Sequence, residues 1–171
     1  ENLFLGKEGW NAGYIPAMIR REPFQIGLQR GADGGATDIR MLSVDMDHPR
    51  VNTETNEGEA LFQPLGGYTP YLEEVATLVE SIYHGVRNAE EFVATLRELD
   101  LLEAINMDIQ LNDGSKNQLI GFHAINEDRF KELSGDTLHQ LSERGFLMPA
   151  FLMMASFGSM SRLINFKNER L

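Results

Sequence analysis

The chain has 171 residues and a mass of 19.3 kDa, room for one globular domain with a substantial core and a squeeze for two independent ones. Hydrophobic residues at 42% and charged residues at 24% match an ordinary soluble protein and exclude wholesale disorder. The absence of cysteine excludes disulfides, thiolate metal sites and cysteine nucleophiles and fits a cytoplasmic setting, while a net charge of -11, with the acids concentrated between residues 51 and 143, repels phosphate backbones and argues against nucleic acid as a partner.

In "GYIPAMIRREPF", Pro16 suits the first turn of a short helix, and Pro23 biases Glu22 away from helical angles, so the helix is expected to end near Arg21. "FQIGLQ" and "IRMLSVD" flank the Gly- and Asp-rich "RGADGGATD", which predicts a hairpin with a flexible tip; lacking a Lys-Ser/Thr ending, the tip is not a phosphate loop. Residues 48 to 68 are polar and aperiodic, an ordered surface loop with a short strand at "ALF". Thr69 and Pro70 then open a helix as N-cap and first helical residue, with Leu72, Val75, Ala76, Val79, Ile82, Tyr83 and Val86 on one face. Asn88 with Glu91 forms a capping-box pattern, which predicts a second helix there and a helical hairpin or kinked rod.

"INMDIQL" and "QLIGFHAI" around "NDGSKN" predict another hairpin. Asn126 and Ser134 are placed to cap two further helices, the second stopping near Gly145, and a last helix is expected from about Phe146 to Phe166. Its apolar window, residues 146 to 160, has 15 residues against the roughly 20 that span a bilayer, so it is expected as a buried helix, or else as a homodimer interface, and no membrane span is expected. Strand pairs alternating with helices, without regular strand-helix-strand crossovers, give an α+β fold of antiparallel β-hairpins packed against a layer of amphipathic helices.

The pieces "GWNAGYIPAMIRREPF", "VDMDHPRV", "GEALFQPLGGYTPYL", "LRELDLLEAINMDIQLNDGSKNQLIGFHAINEDRFKEL" and "FLMMASFGSMSRL" occur in an order that resembles the SapC family, a bacterial group named after a protein linked to surface-layer assembly. The resemblance covers nearly the whole chain and makes the opening "ENLFL" native sequence despite its likeness to a cleavage tag. It implies a single SapC-like domain over residues 1 to 171 that corresponds to the later two-thirds of a longer protein. It also implies an accessory role in handling a peptide or small molecule, or a part in surface-layer export, and it supplies no catalytic residue.

Judged on their own chemistry, Trp10, Tyr14, Arg20 and Arg21 form an aromatic and arginine-rich group of the type that grips a carboxylate or phosphate. The bland alternative places the aromatics in the core and pairs the arginines with nearby acids. "DMDH" offers Asp45, Asp47 and His48 as metal ligands, with both carboxylates on one face if the segment is a strand, yet a non-haem iron site needs a second histidine, and none of His84, His123 or His139 is tied to it by a motif. His84 is expected near a helix end, where an imidazolium favours the last carbonyls. "ASFGS" is not a Gly-x-Ser-x-Gly elbow, and no acid–base pair can be nominated by spacing. The expectation is therefore a non-catalytic accessory protein that binds a peptide or small anionic ligand or acts in assembly, with no cofactor. An oxidative or metal-assisted enzyme is the rival.

Overall fold

The computed structural model describes residues 1–30, 36–55 and 57–171, so the expected tip at "GADGG" lies outside the described residues. The chain groups into two compact units, one of Gly13–Ala89 and one of Glu1–Ala12 with Glu90–Leu171. The fold is α+β, as the patterning predicts, with every strand pair antiparallel.

In the Gly13–Ala89 unit, Pro16 precedes the short helix α1 (Ala17–Arg20), which ends where Pro23 requires. Strands β3 (Phe24–Arg30) and β4 (Ala36–Val44) then pair with Phe24 opposite Val44 and Ile26 opposite Leu42. (Strands β1, Leu5–Gly6, and β2, Gly9–Trp10, belong to the other unit.) Strand alternation turns Phe24 and Ile26 to one face, where Phe24, Leu72, Val75 and Val79 form a small core with Ile26, Val44 and Leu61 against it. The expected strand at "ALF" is reduced to a single bridge between Phe62 and Tyr68.

Helix α2 (Pro70–Glu98) supplies the other side of that core. Its N-cap is Thr69, whose hydroxyl accepts from the Leu72 amide at 3.3 Å and donates to the Ala60 carbonyl at 2.7 Å, tying the preceding loop to the helix start. The helix does not break at Asn88, against expectation. An interior Asn costs only up to about 0.7 kcal/mol relative to Ala, whereas a break would leave up to four carbonyls and four amides without intrahelical partners. His84 accordingly lies well inside α2 rather than at its end, 3.1 Å from Glu80 one turn back.

In the other unit, β1 (Leu5–Gly6) pairs with β2 (Gly9–Trp10), and β5 (Leu102–Gln110) with β6 (Lys116–Ile125). The β5–β6 register shifts between Ile105 and Met107, where β6 carries an extra residue; Gly121, with φ 83°, supplies the left-handed conformation that this bulge needs. Helices α3 (Glu127–Lys131) and α4 (Gly135–Glu143) start as predicted, with the Asn126 side chain accepting from the Arg129 amide and that of Ser134 from the Thr137 amide.

Two helix ends build this unit's core in the same way. After α2, the Leu101 amide donates to the Leu96 carbonyl and the Asp100 amide to that of Arg97, with Asp100 at φ 54°. After α4, the Phe146 amide donates to the Leu141 carbonyl and the Gly145 amide to that of Ser142, with Gly145 at φ 72°. Both are Schellman caps, and in each the two apolar residues bracketing the turn are buried together: Leu96 with Leu101, and Leu141 with Phe146. Ile125, Phe130 and Ala150 complete the cluster.

The terminal helix runs through α5 (Leu147–Ser156), a 3₁₀ turn at Phe157–Ser159 and α6 (Met160–Asn168). It continues past Gly158, giving 22 residues with a mean hydropathy of 1.3 over its most apolar window, long and apolar enough by length and composition to cross a membrane. The 15-residue argument against a span therefore does not apply to the folded helix. The expectation that this helix is buried is also corrected: only 6% of that window is buried, and Met148, Phe151 and Leu152 are 68%, 53% and 61% exposed. Continuous apolar sequence has no period to say which face is covered, and Ala150 alone is buried within α5. The end of α6 is tied to the N-terminal segment, where Lys167 and Arg170 meet Glu1 at 2.6 and 3.1 Å, Arg170 donates to the carbonyls of Asn2, Leu3 and Leu5, and Phe4 packs edge-on to Phe166. These contacts hold Glu1 below the usual carboxylate range, the Lys167 hydrogen bond first and that of Arg170 second.

Candidate functional site

The four residues singled out from the opening segment are divided between the two units. Trp10 belongs to the Glu1–Ala12 piece, half-buried, its ring 5.7 Å from that of Phe4. Tyr14, Arg20 and Arg21 belong to the Gly13–Ala89 unit. Tyr14 is 74% exposed ahead of α1. Arg21 is half-buried and donates to the Phe24 carbonyl at 2.8 Å, holding the turn into β3. Arg20, exposed at the end of α1, meets the Glu74 carboxylate of α2 at 3.2 Å. Such an exposed pair contributes about 0–1 kcal/mol, little enough for a ligand to displace it.

The structure supplies a second guanidinium that sequence reasoning missed. Arg50 donates to the carbonyls of Ile19 and Glu22, each at 3.3 Å, and so is anchored beside the end of α1 although it is about thirty residues away in sequence. The signal was faint: one base in "DHPRV", after the two acids and one histidine offered as metal ligands. Arg20 and Arg50 line two open cavities of about 340 and 360 Å³, with Tyr71 of α2 common to both. Glu22, Glu57 and Glu59 line only the first.

Asp45, Asp47 and His48 are used locally. β4 stops at Val44, so the condition under which the two carboxylates would share a strand face is not met. Instead Asp45 Oδ1 accepts from the Asp47 amide at 3.1 Å, closing an Asx turn at the strand exit. His48 Nδ1 accepts from the Arg50 amide at 3.1 Å, which in the neutral ring puts the proton on Nε2, 3.6 Å from a Glu22 oxygen. Among the described residues, no three His, Asp or Glu side chains gather as a set able to hold a metal ion.

Compared with models of protein families, the sequence matches SapC over residues 1–163 of 171. The chain belongs to the SapC family. No curated protein and no solved structure matches it. The SapC match covers the cleft residues and α5 alike, so both are parts of what the family model describes.

Proposed function

We propose that this SapC protein works by binding: the cleft of the Gly13–Ala89 unit takes a peptide or small anionic ligand, with Arg20 and Arg50 gripping its carboxylate and Tyr71 packing on its body. The observation that carries this reading is the convergence of two guanidiniums from distant parts of the sequence on one open, partly apolar cavity. Planar donors of this type suit a carboxylate, and open clefts with a few placed polar groups are the usual form of small-ligand sites. Thermal unfolding with a panel of dipeptides tests it. A bound ligand at about a hundred times its Kd adds about 2.7 kcal/mol of stability, and Arg20→Ala with Arg50→Ala removes that gain. No stabilisation of the wild type, or equal stabilisation of both proteins, refutes the reading.

The exposed terminal helix favours a second, compatible role in self-association. Met148, Leu152, Ala155 and Ser159 recur at spacings of four, three and four and are all exposed, the pattern of a seam between paired helices. Sedimentation at increasing concentration tests it. A monomer throughout, or flotation of the protein with neutral vesicles, assigns the seam elsewhere.

A further inference from the structure

The charges around the cleft say more about its occupant than that it carries a carboxylate. A simple anion approaching this protein meets a net charge of -11, and the first cavity itself carries two guanidiniums against three carboxylates. Anions are therefore disfavoured both at long range and at the mouth, even with screening over about 8 Å in physiological salt.

The opposite charges are also set apart. Arg20 and Arg50 stand where the two cavities share their lining, fixed by the end of α1, whereas Glu57 and Glu59 come from the loop before α2 and line only the first cavity. Among the described residues, neither the Glu57 nor the Glu59 carboxylate has an ion-pair or hydrogen-bond partner, whereas Arg20 is matched by Glu74, and Glu22 faces His48. The same cavity presents Phe24, Val44, Met46 and Leu61 as apolar lining. At about 340 Å³ and open to solvent, it falls in the range of small-ligand sites and has room for an amino acid or a dipeptide.

We infer that the cleft recognises a zwitterion, a short apolar peptide or amino acid with both termini free: its carboxylate on Arg20 and Arg50, its ammonium on Glu57 and Glu59, and its side chains over Phe24, Val44, Met46 and Leu61. A net-neutral ligand escapes the repulsion an anion feels, and each of its charges finds an opposite one. The inference rests on the binding reading above and narrows it.

Isothermal titration with Leu-Leu, its N-acetyl derivative and its C-terminal amide tests the inference on the whole chain. The expected order is free dipeptide first, with either capped form weaker by about five- to tenfold, the scale of one charge pair in a solvated cleft. Glu57→Gln with Glu59→Gln, both exposed loop positions, should abolish the discrimination against the acetylated form while keeping that against the amide. Arg20→Ala should reduce the discrimination against the amide. If the acetylated dipeptide binds as tightly as the free one, or the Glu double variant keeps the full preference, the zwitterion inference is overturned while carboxylate binding stands. If no form binds, both fail.

Discussion

Replacing Gly145 by Ala isolates the conformational cost of one residue in this fold. Gly145 sits at φ 72° in the cap that ends α4, and a Cβ added there meets no atom within 4 Å. No clash contributes, so the effect comes from the backbone alone. Left-handed geometry costs a non-glycine residue about 1–2 kcal/mol, and Ala recovers about 0.4–1 kcal/mol by narrowing the unfolded ensemble. The net expectation is a destabilisation of about 1 kcal/mol. Gly158, inside the helical run Leu147–Asn168, provides the opposite case: its φ is not positive, its Cβ position is equally open, and Gly158→Ala should stabilise by about 0.5–1 kcal/mol. Urea unfolding reads both as shifts of the midpoint at constant slope. A neutral or stabilising Gly145→Ala would refute the claim that the cap conformation directs Phe146 into the core.

Leu101→Ala, at a position with 0% exposure, should cost about 2–5 kcal/mol by urea unfolding; a loss under 1 kcal/mol would mean that the Leu96–Leu101 contact is not central to that core. Glu1 is held below the usual carboxylate range by Lys167 and Arg170, so its stabilising contribution is complete above the ordinary carboxylate pKa and disappears as pH falls through the lowered folded-state value. Glu1→Gln should therefore flatten the acid side of the stability profile and leave the alkaline side unchanged in shape, an effect that shrinks in high salt because the group is exposed. Met148→Lys with Leu152→Lys should abolish self-association seen by sedimentation without lowering the urea midpoint by more than about 0.5 kcal/mol, since surface changes away from packed features stay within that range.

Local chemistry explains which elements were legible in the sequence. Thr69, Asn126 and Ser134 cap helices because their short polar side chains reach free amides, and Pro23 ends α1 by sterics; both effects act within a few residues and can be read from letters alone. Asn88 carries the same capping signal inside an unbroken helix, because a cap works only where the preceding chain leaves the helix, and that is decided by packing. Asp45 and Asp47 would share a face only in a continuing strand, but β4 ends one residue before Asp45, which closes a turn.

The candidate site was only half legible. Arg20 stood out in "IRRE", whereas Arg50 gains its place only when the loop after β4 returns to the end of α1, and Glu57 and Glu59 acquire meaning only beside that pair. Trp10 drew attention through its nearness in sequence to Tyr14, and the two belong to different compact units. The terminal helix was legible as a helix, but its exposed face was not, since an apolar run reads alike whether covered or bare.

The central claim is that this chain recognises a small ligand at the Arg20–Arg50 cleft and leaves it chemically unchanged. Amide chemical-shift mapping during titration with Leu-Leu, with the dipeptide's own signals followed in the same tube, tests both parts at once. The account predicts shifts at Arg20, Arg50, Glu59 and Tyr71, none along residues 147–168, and a dipeptide spectrum unaltered over hours. Shifts confined to the terminal helix, or conversion of the dipeptide into products, would contradict it.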